Sequence, residues 1–455
     1  MAEIDPVVPV RQAKFVEGNL FAHIVVMSLT SSVGLMAVFS VDLVNMVFLA
    51  MLGQEAVTAA VGYAGVILFF TTSFGIGLAI AVSALVARAL GARDPVRARE
   101  KATNGLVLGI GFGVLFAATV WMMLPGLVAL LGATGETAVL AVQFLRIVVP
   151  AQPFLMVGMI GGAILRSHGD ARRAMMATIW GAVVNAVLDP ILIFGLDLDL
   201  TGAALASVAS RVVIAAVALL PVIRHHGGFD RPSLAGLTGD LPAVLGIAGP
   251  AILTQLATPV GQALVTRIVA GFGEAAVAGM AITGRMTPVA LGVIFALSGA
   301  IGPIIGQNFG AGRIDRVRRA FLDGLIFTAL VIGVVTAILF TFRAPIADLF
   351  GAQGLTRDLI YLFCGPLCLL FFFNGAIFVA NAACNNLGAP FQSTLINWGR
   401  HTLGTVPFAL WLGGVWGAQG VLIGQAVGGL VFGLLAIWLA FGTIARAGAP
   451  TPHRF

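Results

Sequence analysis

The stretch Trp180-Gly181-Ala182-Val183-Val184-Asn185-Ala186-Val187-Leu188-Asp189-Pro190-Ile191-Leu192-Ile193-Phe194-Gly195 decides how this chain is read, because it sets an amide and a carboxylate inside an otherwise apolar run. Asn185 and Asp189 are four residues apart, so on a helix they share one face, one turn from each other. In a bilayer an ionised Asp near the centre of such a run costs roughly 2.5–3.5 kcal/mol on insertion scales, so it needs a partner. Asp42, a lone acid in an earlier apolar run, is the candidate.

Outward from that stretch, the composition gives the solvent. Of 455 residues, 59% are hydrophobic and 10% charged, against about 25% charged in an average soluble domain. Such a chain cannot keep enough charge on its surface to stay in water, and it reads as an all-α polytopic membrane protein. The net charge of +6 does not point to nucleic acid, because the basic residues sit in short clusters between apolar spans, as juxtamembrane charges do. The first eighteen residues, MAEIDPVVPVRQAKFVEG, hold no apolar core followed by a small-residue cleavage site, so no cleavable signal peptide is expected. Cys364, Cys368 and Cys384 lie in or beside apolar spans and form no paired framework; they read as small buried side chains rather than as metal ligands or disulfides.

At about 20 apolar residues per crossing, the chain divides into twelve spans: 19–50, 56–86, 102–125, 137–164, 174–195, 202–223, 243–270, 275–307, 319–341, 357–382, 391–412 and 416–442. The loops after spans 2, 4, 6 and 8 carry the basic residues: Arg88, Arg93, Arg97, Arg99 and Lys101; Arg166, Arg172 and Arg173; Arg224 and Arg231; Arg313, Arg316, Arg318 and Arg319. The alternate loops 52–55, 131–136, 196–201 and 271–274 carry none, and Arg343 and Arg357 near the loop after span 9 are the exceptions. By the positive-inside rule both termini are cytoplasmic, which implies the cell (inner) membrane.

An internal repeat follows, with a period near 220 residues. Leu52-Gly53-Gln54-Glu55-Ala56-Val57 is echoed by Phe272-Gly273-Glu274-Ala275-Ala276-Val277, and Gly91-Ala92-Arg93-Asp94 by Gly310-Ala311-Gly312-Arg313. Trp180-Gly181 returns as Trp398-Gly399, and Gly202-Ala203-Ala204 as Gly417-Ala418-Gln419. The fold class expected is therefore twelve transmembrane helices in two parallel six-helix lobes, related by an axis along the membrane normal. The N-lobe takes residues 1–223, a cytoplasmic linker 224–242, and the C-lobe with a short cytoplasmic tail 243–455.

These features resemble the multidrug and toxic compound extrusion (MATE) transporters of prokaryotes, and most nearly their DinF-like branch. The resemblance covers essentially the whole chain and rests on order and spacing: Leu165-Arg166-Ser167-His168-Gly169-Asp170-Ala171-Arg172 closing span 4, Asn185-x-x-x-Asp189 in span 5, Gly-Ala-Ala-Leu-Ala-Ser at 202–207 and Gly-Ala-Arg-Asp at 91–94. It implies an antiporter coupled to H+ or Na+, with no cofactor, that exports small organic compounds, often cationic drugs, by alternating access, and that works as a monomer in contact with membrane lipid. It implies a cation or proton site built from Asp42, Asn185, Asp189 and Ser207, where the family often has Thr in place of the serine; Asp42, Asn185 and Asp189 would then be the Na+ ligands. Span 1 has no proline between residues 19 and 50, which departs from the proline-bent first helix proposed for this branch. In the repeat, Asp42 falls on Gln262, and Asn185 and Asp189 fall near Leu403 and Pro407. With no Asp or Glu in 251–270 or 361–383, coupling is expected in the N-lobe alone.

Chain geometry places Asp42 roughly 16 Å inside Gly53, Asp189 roughly 9 Å inside Gly195, and Ser207 about 8 Å inside Gly202. Two nearby carboxylates in a low-dielectric pocket cannot both stay ionised cheaply, so they share a proton or bind a cation, and they act as a coupled dyad. Amide and hydroxyl oxygens suit a hard cation. Asn45, one turn from Asp42, and Gln262, Arg285 and Arg400 are candidates for the rest of the cavity. A lipid-linked precursor flippase of the same superfamily is the first alternative, and it would need several inward arginines. An intramembrane enzyme with Asp-rich metal motifs is the other. It fails on spacing, because Pro190 and a turn separate Asp189 from Asp197 and Asp199.

Overall fold

The structure is a computed structural model that describes residues 13–51 and 55–449. The echo at 52–54, the first twelve residues and the end of the tail lie outside the described residues. The helices in chain order are α1 (Leu20–Met51), α2 (Glu55–Gly91), α3 (Pro95–Leu130), α4 (Gly135–Val148), α5 (Gln152–Ser167), α6 (Ala171–Pro190), α7 (Asp199–His225) and α8 (Leu234–Ala270). They are followed by α9 (Glu274–Ala290), α10 (Gly292–Gly310), α11 (Ile314–Thr341), α12 (Arg343–Leu349), α13 (Gly354–Leu362), α14 (Cys368–Asn386), α15 (Pro390–His401) and α16 (Val406–Gly448).

Among the described residues eleven stretches are long and apolar enough to cross a membrane. The last of them, Pro390–Gly448, runs 59 residues, roughly 90 Å of helix and far more than one bilayer core. It folds back at Trp416 and Gly417, where Gly417 takes φ 61°, so it crosses twice and the crossings number twelve. Crossing 8 is α9 plus α10, joined at Leu291 after Pro288. The two parallel six-helix lobes expected from the repeat are the architecture observed.

Helices reach past the apolar windows because their ends are capped. Asp94 accepts a hydrogen bond from Arg97 N at 2.8 Å ahead of Pro95, which starts α3, and Ser233 accepts from Gly236 N at 3.0 Å to start α8. Only 226–233 of the segment between α7 and α8 is non-helical. Asp170 caps α6, accepting from Arg173 N at 3.3 Å, and also binds the Arg173 guanidinium at 2.5 Å and His226 Nε2 at 3.2 Å. Burial alone would raise that carboxyl, but the hydrogen bonds from His226 and Arg173 together outweigh it and hold it far below the usual carboxylate range. The Leu165–Arg172 motif thus ties the end of α5, the start of α6 and the end of α7 together.

The lobes meet at the ends that carry the basic loops, by a reciprocal contact. Arg88 donates to the carbonyls of Asn386 (2.9 Å) and Asn385 (3.0 Å) at the end of α14. Gln307, 219 positions after Arg88, donates to the carbonyl of Ser167 (2.7 Å) at the end of α5, and Ser167 is 219 positions before Asn386. Gly91 lies on the Gln307 backbone and Gly310, again 219 positions on, lies on the Arg88 backbone, each too close for any side chain. The same step relating donor, acceptor and glycine defines a two-fold axis between the lobes. Asn385 and Asn386 are therefore buried, 5% and 4% exposed, rather than facing solvent.

A short strap, residues 14–18, closes this end. Lys14 donates to Gly169 O (2.9 Å) on one lobe. On the other, the buried Phe15 receives Asn308 (3.0 Å) and Arg316 (3.1 Å) at its carbonyl and donates its N–H to Gln307 Oε1 (2.9 Å). Toward the opposite end Asp42, Gln262 and Arg285 are all exposed. The molecule is shut on the basic side and open on the other.

Candidate functional site

On α6 the sequence spacing becomes two faces. Trp180, Val183 and Val187 are exposed, a lipid-facing stripe, while Gly181, Ala182, Asn185 and Asp189 are buried against the bundle. Asn185 Nδ2 donates to Asp189 Oδ2 at 2.6 Å. Pro190 follows, and the backbone widens through Ile191–Gly195 into a single wide helical turn. Gly202 on α7 packs against the Leu192 backbone, 2.6 Å from its carbonyl carbon if a Cβ were added. Only glycine lets α7 approach the widened turn beside Asp189.

Helix contacts fix the relative heights. Gly34 of α1 lies against Thr178 and Met175 of α6. From that contact Asp42 is eight residues outward and Asn185 seven, about 12 and about 10.5 Å along helices that run the same way. Gly181 of α6 lies against Ser210 of α7, whose Oγ donates to Gly181 O at 2.8 Å. From there Ser207 is three residues outward and Asn185 four, about 4.5 and about 6 Å. Asp42, Asn185 and Ser207 therefore lie in one layer, with Asp189 one turn farther out. The structure brings these elements to the same level from three helices. Asp189 is closed in and held by Asn185, Ser207 is half-buried, and Asp42 stands exposed with no side-chain partner among the described residues. Helix α1 is uninterrupted over its 32 residues, consistent with the absence of proline.

Asn45 does not bond Asp42; its Oδ1 is buried without a partner, one turn away on α1. The side chains at or near this level, Asp42, Asn45, Asn185, Asp189 and Ser207, all offer oxygen atoms, the donor type that suits a hard cation.

The other wall carries the opposite charge. Gly292 of α10 lies against Met36 of α1; Arg285 is seven residues outward of Gly292 and Asp42 six outward of Met36, about 10.5 and about 9 Å. Arg285 thus stands at the height of Asp42. Gly261 of α8 makes room for the His401 ring, which puts Gln262 and Arg400 at one level. Measured from the α8–α9 turn, Gln262 and Arg285 differ by about one helical turn. The sequence identified these residues singly; their common height depends on glycine contacts between helices, which no spacing in the chain reveals. The strap and its acceptors were also missed, because most of its bonds are made by backbone carbonyls.

Comparison with known proteins follows the same division into halves. The MatE family model matches residues 31–191 and 250–411, one match in each half. A FAD transporter of Shewanella oneidensis is 28% identical over 427 residues, 91% of this chain and 93% of that protein. The multidrug export protein MepA of Staphylococcus aureus is 26% identical over 331 residues, 71% of this chain and 73% of that one. Among solved structures, a mutant of the Vibrio cholerae MATE transporter VcmN superposes with a TM-score of 0.89 at 25% identity, over 94% of this chain and 97% of the other. An outward-facing conformation of a multidrug resistance MATE transporter gives 0.89 at 23% identity, covering 96% and 98%, a likeness of fold.

Proposed function

Since the chain belongs to the MatE family, whose members are transporters and not enzymes, we propose that it is an alternating-access exporter of small organic compounds driven by H+ or Na+ at the N-lobe site. Asp42, Asn185, Asp189 and Ser207 form that site, with Asn45 as a further oxygen; Asp42, Asn185 and Asp189 are the ligands when the ion is Na+. The observation that carries the reading is a pair of acids within about one helical turn in height, Asp42 on α1 and the Asn185-bound Asp189 on α6, with the Ser207 hydroxyl of α7 at the same level, in an apolar lobe. Intramembrane acids in such a layer either bind a cation or take up a proton. Entry of the ion from the open side takes one negative charge off the acid pair. That lessens the charge that would otherwise have to be carried into a closed, dry state, and so favours rocking of the lobes.

The basic side is cytoplasmic and the membrane is the inner membrane, with the lobes 1–223 and 243–455 moving as units about the 224–242 linker in a monomer. Export then means loading from the basic side and release through the opening described above. Relatives whose names record multidrug export and FAD transport leave two classes of cargo: organic cations or drugs, which the acids alone would choose, and nucleotide-like anions. The test is efflux in vesicles under separate Na+ and H+ gradients. Asp42→Asn and Asp189→Asn should each abolish gradient-driven efflux at normal expression; wild-type rates in either variant would reject the dyad.

A further inference from the structure

We propose that Arg285 and Arg400, on the C-lobe wall of the opening, form a subsite for a phosphate group on the transported molecule. The inference rests on the transporter reading above and adds the chemistry of the cargo. Arg400 shares one face of α15 with Ser393, Ile396 and Asn397, seven, four and three residues away, all of which are buried. The lipid-facing residues Phe391 and Leu395 are on other faces. Arg400 therefore points into the lobe, and its guanidinium has no hydrogen-bond or ion-pair partner among the described residues. Arg285 is likewise without a partner and is exposed at the height of Asp42.

Nothing in the C-lobe answers these charges. Its acids are Glu274, Asp315, Asp323, Asp348 and Asp358. Glu274 and Asp315 sit at helix starts, Asp323 is bound to Arg319 at 2.9 Å, and Asp348 is bound to Arg357 at 3.1 Å. Asp358 lies in α13, one residue from Arg357, near the outer loop. Two further polar atoms of the C-lobe are also unsatisfied: Nε2 of His401, the residue after Arg400, which is 4% exposed, and Oδ1 of Asn374 on α14. Unpaired guanidinium groups at membrane depth are costly and are found where they meet an anion or water-filled cavity. A phosphate monoester carries about −1.5 to −2 at neutral pH and three acceptor oxygens, which balances two guanidinium groups, and the guanidinium fork matches phosphate geometry. The cavity is thus bipolar, with the coupling cation on one wall and the cargo's phosphate on the other.

Phosphate can arrive on a soluble nucleotide or on a lipid-like carrier, and the assay separates the two. Binding to the purified full-length protein in nanodiscs of uncharged lipid is measured for two pairs that differ by phosphate: riboflavin and FMN, and farnesol and farnesyl phosphate. The phosphorylated member of at least one pair should bind about tenfold tighter or more, as expected for hydrogen bonds to charged groups. Preference within the first pair identifies a nucleotide-like cargo, and preference within the second a lipid carrier. Arg400→Gln and Arg285→Gln should each reduce the ratio to about twofold or less while the unphosphorylated partner binds as before, and Arg400→Lys should keep part of it. Unchanged binding of riboflavin or farnesol shows that the variants are folded. No phosphate preference in the wild-type protein, or a preference intact in both Gln variants, overturns the subsite. Loss of efflux in Asp42→Asn alongside an absent phosphate preference would leave the transporter reading standing and remove only the subsite.

Discussion

Gly91→Ala tests how the basic side is kept shut. A Cβ at this position would lie 2.7 Å from the Gln307 carbonyl carbon and 2.8 Å from its Cα, where carbon atoms pack at about 3.5–4.0 Å. The obstacle is backbone, so no rotamer relieves it; α2 and α10 must part. Overpacking of this kind costs about 1–3 kcal/mol. The clash exists only while the lobes are closed here, so the cost falls on this state and shifts the balance toward opening on the basic side by about 5- to 150-fold. Ser167 is the reporter, because it is fully buried beneath the contact and its carbonyl accepts from Gln307. In a background with Cys364, Cys368 and Cys384 replaced by Ala, Ser167→Cys should be nearly inert to a membrane-impermeant maleimide added from the basic side. Adding Gly91→Ala should raise its labelling rate by a factor in that range. Gly111→Ala on α3, where a Cβ meets nothing within 4 Å, is the control and should leave the rate alone. Equal rates with and without Gly91→Ala, in protein that remains monodisperse, would refute the idea that this crossing holds the lobes together.

Two further outcomes follow from other contacts. Asp170→Asn keeps a capping oxygen but loses the negative charge that faces the start of α6, Arg173 and His226, and should lower stability by about 0.3–2 kcal/mol at pH 7. The folded carboxyl is held below its unfolded value, so the contribution is full above about pH 5 and declines once the pH falls below the unfolded value of about 3.9; thermal denaturation of wild type and variant should accordingly converge in acid. Gln262→Ala, at the repeat position of Asp42 but carrying no charge, should change efflux far less than Asp42→Asn. Equal loss would show that coupling involves the C-lobe.

Much of the architecture is legible in the amino-acid sequence, for a physical reason: a bilayer demands about 20 apolar residues per crossing, and duplicated glycines at 91 and 310 leave a visible period. Asn185 and Asp189 were legible because a hydrogen bond along one helix needs only the four-residue step. The heights at which Asp42, Ser207, Arg285 and Arg400 meet were not, since these follow from Gly34, Gly181, Gly261 and Gly292, each of which sets one helix against another. A glycine in an apolar run does not announce what it touches. Likewise, Arg88 read as one loop charge among several, because its acceptors are the carbonyls of Asn385 and Asn386, and carbonyls have no letter in the sequence.

The reciprocal contact of Arg88 with α14 and Gln307 with α5 also limits the route between states. The two contacts lie on either side of the axis and are held by the same rigid helices, so a rotation that strains one strains its twin as well. A half-released arrangement would forfeit one bond without freeing either lobe to swing. Such a junction behaves as a two-pin latch, and it favours abrupt exchange between shut and open over gradual widening, which keeps a continuous leak across the membrane from forming. The pins are not identical, however: one is a guanidinium bound to two carbonyls and the other an amide bound to one.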